Sequence, residues 1–247
     1  LATGRGPRFL LQYMAALGLD VAVAYNGQYI LSREKVLFAN PLAISDIQEM
    51  IEYADQHQRD LSFGTAAGVV GSGLMSFGNG NLAYKITKLI PNSWAGFVTF
   101  LFNQILRRIS PQKSGNLQDL LTQPIYQMMV ITTQKESQKL EERFEHLSFT
   151  RSSAYVADVI SKGQSKLAGI ARVGDLYGFD TSEVMAFGDS DNDMEMLSGV
   201  GYAIAMGNGT KRLKKIATYV TASNNKDGIF QAIKKFGLVK GGNDVSE

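Results

Sequence analysis

VMAFGDSDNDMEMLSGVGYAIAM, residues 184–206, opens with four apolar side chains, Val184 to Phe187, and no polar break. Such a run predicts a strand buried on both faces. Gly188 ends it, and Asp189, Asp191 and Asp193 follow within five residues, where the chain leaves the strand for a helix. Three neighbouring carboxylates repel one another unless a cation offsets their charge. In an open α/β sheet this place is the carboxyl end of a strand, where ligands bind. The pattern points to a divalent-metal site at a strand tip.

Two other readings compete. A calcium loop would put Asp189, Asp191 and Asp193 at its positions 1, 3 and 5, but it then needs Gly and Glu where the chain has Met194 and Val200. Helix capping by Ser190 or Asp191 accounts for one acidic residue at the positive end of a helix, not for three plus Asn192.

Composition narrows the class. The 247 residues suffice for two domains, and 25 basic against 23 acidic residues leave no strong field toward nucleic acid or anionic lipid. There is no Cys, which excludes disulfides and thiolate metal sites and fits a reducing, cytoplasmic setting. The longest apolar region, Trp94 to Leu106, is broken by Asn103 and Gln104 and is too short for a membrane span.

Outward from the acidic stretch, both ends of the chain read as strands alternating with helices. Thr3-Gly4-Arg5-Gly6-Pro7 follows a strand end and opens a helix carrying Phe9, Leu10, Tyr13, Met14 and Leu17, stopped by Gly18. Val21 to Ala24 is a second strand, Tyr25 to Gln28 a turn, and Tyr29 to Phe38 a hairpin. After Pro41 the pattern changes. Leu42 to Gln56 predicts an amphipathic helix with Ile44, Ile47, Ile51 and Tyr53 or Ala54 inward. Glycines 64, 68, 71, 73, 78 and 80 suggest short strands. A helix over Ala95 to Ile109, a loop from Ser110 to Asn116, a strand over Tyr126 to Thr133, a helix over Lys135 to Leu147 and one strand over Phe149 to Ile160 complete this part. The alternation then resumes. Leu167 to Tyr177 is a helix, Tyr202 to Met206 a strand, Thr210 to Ala217 a basic helix, Tyr219 to Thr221 a strand, and Asp227 to Phe236 a helix capped by Asp227. His57 and His146 lie among charged residues and read as surface.

The ordered motifs LATGR at 1–5, YNG at 25–27, Ser165-Lys166, GDSDND at 188–193, AMGNG at 205–209 and SNNKDG at 223–228 resemble the haloacid dehalogenase-like hydrolases, in their Cof-type sugar-phosphatase branch. The resemblance spans nearly the whole chain. It implies an α/β protein, with a Rossmann-like parallel-sheet core over residues 1–41 and 161–247 and an inserted α+β cap over 42–160. It implies a Mg²⁺-dependent phosphatase of small phosphorylated metabolites, sugar phosphates foremost, working through an aspartyl-phosphate. By position, Thr3 and the Gly4 backbone would hold the phosphate and Lys166 would neutralise its oxygens. Asn192 would donate to it, Asp189 would bind Mg²⁺, and Asp193 would support the metal water or orient Lys166.

The family's first motif, an apolar strand ending in DxDGT that carries the nucleophile, has no counterpart in this sequence; the expectation is that it lies upstream of Leu1. The 247 residues alone are accordingly expected to be inactive. A phosphomutase on the same scaffold and a catalytically silent phosphate-binding protein are the rival readings. Neither nucleic acid nor membrane is an expected partner.

Overall fold

The computed structural model describes residues 1–57, 59–71, 121–151 and 155–239. The helix expected over Ala95 to Ile109, the loop from Ser110 to Asn116, glycines 73, 78 and 80 and the tail after Val239 lie outside them. The chain divides into two compact units, Leu1–Gly169 and Ile170–Glu247.

In the first unit, α1 (Pro7–Leu17) begins with Pro7 and ends at Gly18, whose φ of 67° suits a residue without a side chain. It buries Leu10 and Met14, while Tyr13 and Leu17 stay exposed. β1 (Val21–Ala24) follows, then a tight turn, Tyr25–Gly27, and the antiparallel strands β2 (Tyr29–Ser32) and β3 (Val36–Ala39). Residues 1–3 run parallel to β1: Thr3 N–H donates to Val23 O at 2.9 Å, and Val23 N–H to Leu1 O at 2.7 Å. Thr3 and Gly4 therefore stand at the carboxyl end of a strand-like segment.

The unit continues with α2 (Ile44–Gln56), β4 (Leu61–Thr65), β5 (Gly68–Gly71), β6 (Ile125–Ile131), α3 (Gln134–Arg143), β7 (Leu147–Thr150) and β8 (Val156–Ser161). The strands form one antiparallel sheet in the order β5-β4-β6-β8-β7. Met50 and Ile47 of α2 and Leu140 of α3 pack with Phe63, Met128 and Val130 of the sheet. Each such fully buried apolar side chain contributes about 1.5–3 kcal/mol. Thr133 caps α3 by accepting from the Glu136 N–H at 3.4 Å.

Two expectations fail here. Phe149 to Ile160 is not one strand: the chain reverses, and Thr150 of β7 pairs with Asp158 of β8. Both arms alternate, so their periodicity conceals the turn. Ile44 is exposed rather than inward; it is the first residue of α2, and Met50 takes an inward place instead.

The unit boundary falls within α4 (Lys166–Tyr177). The second unit then holds β9 (Met185–Gly188), α5 (Met194–Ser198), β10 (Tyr202–Ala205), α6 (Lys211–Ile216), β11 (Tyr219–Val220) and α7 (Gly228–Lys235). Its three strands are parallel, in the order β11-β10-β9. β10, the central strand, buries Ala203, Ile204 and Ala205. β9 lies at the edge of this sheet, and Met185 and Phe187 are only partly covered, against the expectation of burial on both faces. Asp227 does not cap α7 with its side chain as expected, because its backbone is left-handed at φ 52°.

Candidate active site

In the first unit the Thr3–Arg5 turn is pinned from one side. Thr3 O accepts from Asn26 N–H at 3.0 Å, Arg5 O from Tyr25 N–H at 3.1 Å, and Gly4 O from Gln127 Nε2 at 3.3 Å. The partners belong to the 25–27 turn and to β6. Both Tyr25 and Asn26 have positive φ, 47° and 52°, which aims two successive amides at the turn's carbonyls. Arg5 N–H donates to Thr3 Oγ1 at 3.3 Å. Among the described residues the Gly4 N–H has no hydrogen-bond partner. The turn thus has all three carbonyls engaged by the protein.

Lys166 opens α4, next to Ser165, whose Oγ accepts the Ala168 N–H at 3.1 Å. A cation in a first helical turn opposes the helix dipole, so the helix itself gains nothing from it. Its side chain is nonetheless buried. The Ser165 backbone is packed against Gly27, where an added Cβ would fall 2.1 Å from Ser165 O. The YNG turn therefore backs both the Thr3–Arg5 turn and the start of α4, the elements that carry Thr3, Gly4 and Lys166.

Sequence reasoning passed over Asp158. Its Oδ2 accepts from Asn26 Nδ2 at 3.3 Å, and the same nitrogen donates to Gln127 Oε1 at 3.0 Å. Burial pushes the Asp158 carboxyl up to about 6, despite the Asn26 hydrogen bond and the charges of Lys166 and Arg151, which pull it down. In a strand read only as alternating, a lone Asp looks like the solvent-facing member. No local signal separates it from a surface carboxylate.

In the second unit the three carboxylates after β9 diverge. Asp193 is buried, and its Oδ2 accepts from the backbone of Asp189 at 3.0 Å and of Ser190 at 3.2 Å. Asp191 takes the Thr210 hydroxyl at 2.7 Å and faces Arg212 at 3.4 Å. Asp189 is exposed, with Oδ2 accepting from Asn208 Nδ2 at 3.3 Å. Asn192 Oδ1 accepts from the Ser190 hydroxyl at 2.6 Å. Asn208 Oδ1 takes the Asn224 N–H at 2.9 Å, and Thr210 N–H donates to Asp189 O at 3.1 Å. The segments 188–193, 205–209 and 223–228 thus meet at the carboxyl ends of the parallel strands.

A family model described as haloacid dehalogenase-like hydrolase matches residues 1–233. The chain belongs to the haloacid dehalogenase-like hydrolases. It is similar to YkrA of Bacillus subtilis (strain 168), which carries the provisional name of phosphatase: 28% identity over 244 residues, covering 97% of this chain and 84% of that one. Among solved structures it resembles BT1666 of Bacteroides thetaiotaomicron, a phosphatase of this superfamily, with a TM-score of 0.75 and 25% identity over 96% of this chain and 81% of that one. The subclass IIB sugar phosphatase BT4131 shares the fold, with a TM-score of 0.71 at 23% identity, covering 96% and 85% of the two chains.

For this hydrolase the fit to magnesium turns on donor chemistry. Mg²⁺ uses one or two carboxylates and fills its remaining positions with water and phosphate oxygens. Asp189 presents an exposed carboxylate at the strand tip, and Asp193 is engaged with two amides through one oxygen. Among the described residues no three His, Cys, Asp or Glu side chains converge as a cage. The donors fit an ion that borrows most of its shell. No helix among the described residues is long and apolar enough to cross a membrane.

Proposed function

We propose that this hydrolase is a Mg²⁺-dependent phosphatase of small phosphorylated metabolites, sugar phosphates in particular, acting through an aspartyl-phosphate. The observation that carries the reading is the Thr3–Arg5 turn at the end of a strand-like segment, tied back by all three carbonyls, with the buried Lys166 opening α4 behind the same YNG turn. A phosphoryl group spreads negative charge over its oxygens, so backbone donors, a hydroxyl and an ammonium suit it. The sugar-phosphate class is supported by the name borne by BT4131, a protein of the same fold.

In this reading Thr3, Gly4 and Asn192 orient the phosphate, and Lys166 balances its charge. Asp189 would hold Mg²⁺ with support from Asp193; when bound, the ion neutralises phosphoryl oxygens. Residues 1–41 and 161–247 form the hydrolase core, and residues 42–160 form a cap that excludes water and selects the substrate.

The test is turnover by the full-length protein on a panel of sugar phosphates, with magnesium and with chelator. Chelation and Asp189→Ala should each lower turnover by at least ~100-fold. Absence of turnover on every ester, or turnover indifferent to Asp189→Ala, overturns the proposal. An isomerised sugar phosphate in place of free phosphate identifies a phosphomutase.

A further inference from the structure

Outside the motifs that resemble the family's, the Asp158 carboxylate reaches the Thr3–Arg5 turn. Asp158 Oδ2 would lie 2.9 Å from a Cβ placed on Gly4, and Asn26 Nδ2 would lie 3.0 Å from it. Gly4 is therefore required because these two side chains fill the space behind the turn. From Asp158 the hydrogen bonds run through Asn26 Nδ2 to Gln127 Oε1, and from Gln127 Nε2 to Gly4 O. Among the described residues the charged groups acting on Asp158 are Lys166, from the start of α4, and Arg151, just after β7. Arg151 is committed elsewhere, donating to Ser137 Oγ at 2.6 Å and to Thr132 O at 2.7 Å. Asn26 and Gln127, from the other two elements, carry no charge.

We propose that Asp158 is a positioning residue of the phosphate site: as a carboxylate it holds the Lys166 ammonium and, through Asn26 and Gln127, sets the Gly4 peptide toward the phosphoryl group. This rests on the phosphatase reading above. The ionised form attracts the ammonium and draws in the Asn26 amide; the protonated form loses the first interaction and weakens the second. The site is therefore set above the Asp158 titration, near 6, and slackens below it.

The experiment compares full-length wild type with Asp158→Asn and Asp158→Glu, using p-nitrophenyl phosphate and magnesium across pH. The amide keeps an oxygen for Asn26 but carries no charge. Expressing the result as the ratio of wild-type to variant kcat/KM cancels the ionisation of the substrate itself. The ratio for Asp158→Asn should be roughly 10–100-fold at neutral pH, the cost of a misplaced phosphate cradle. It should shrink toward unity well below the Asp158 titration, where wild type is also uncharged. Asp158→Glu should recover part of the neutral-pH rate. A ratio independent of pH, or wild-type kcat/KM in Asp158→Asn, overturns the proposal. Should Asp189→Ala abolish turnover while Asp158→Asn does not, the phosphatase reading stands and this inference falls. If wild type turns over neither this ester nor any of the sugar phosphates, the phosphatase reading fails, and calorimetric binding of inorganic phosphate decides the matter. Affinity must then drop in Asp158→Asn at neutral pH and converge with wild type in acid; equal affinities at neutral pH reject the role.

Discussion

Asp193 Oδ2 accepts the backbone N–H of Asp189, four residues earlier, at 3.0 Å, and that single bond gives the two carboxylates opposite fates. One is drawn into the loop as an internal acceptor. The other is left at the strand tip, where among the described residues Asn208 holds it.

Removing the internal acceptor should therefore damage the fold as well as the chemistry. Asp193→Ala strands two amides that now share one buried oxygen, a loss of about 1–3 kcal/mol. Urea denaturation should show it, while Asp189→Ala, at an exposed position, should stay within about 0.5 kcal/mol of wild type.

Lys166→Met keeps most of the buried stem and removes only the ammonium. The proposed role predicts at least a ~100-fold loss of kcat on a phosphate monoester. A methionine variant with wild-type kcat would assign Lys166 to packing.

Gly27→Ala should be among the most damaging substitutions in the first unit. Gly27 has a φ of 99°, and its added methyl would meet the Ser165 carbonyl at 2.1 Å, a backbone atom that cannot rotate away. Strain and displacement together should cost more than about 2 kcal/mol. Thermal unfolding is the measurement, with lower turnover expected as the start of α4 shifts.

The Asp158 carboxyl also makes a stability prediction of definite sign. Its folded value of about 6 stands above the ordinary 3.8, so between these values the folded protein binds the proton more tightly than the unfolded chain does. That contribution is fully present below the ordinary value and is lost as pH rises through about 6. Relative to wild type, Asp158→Asn should gain on the order of 3 kcal/mol on going from below the ordinary carboxyl value to above the folded one. Paired denaturation curves at the two pH values check this; a carboxyl whose folded value lay below the ordinary one would give the reverse, a variant weakened most at neutral pH.

The exposed pair Arg212–Asp191, at 3.4 Å, should matter little. Arg212→Ala is expected to change stability by less than about 0.5 kcal/mol.

The strand–helix alternation at both ends of the chain was legible because burial imposes periods that a single segment displays. Pro7 at the start of α1, Gly18 and Gly178 at helix ends, and the apolar run before Asp189 are such local signs. Thr133 as the cap of α3 went unread, although its side chain acts only three residues away. The single strand read over Phe149 to Ile160 shows the opposite limit, since two antiparallel arms carry the same alternation as one.

By itself the amino-acid order determined where carboxylates, glycines and a helix-opening lysine fall relative to strand ends, since these depend on neighbours a few residues apart. Only the tertiary structure decided which of them act together. Asn26 meets Gln127 across 101 positions and Asp158 across 132, and Gly4 meets Gln127 across 123. Such contacts are set by sheet register and packing, which bring distant backbone together at a cost in chain entropy that no local pattern records.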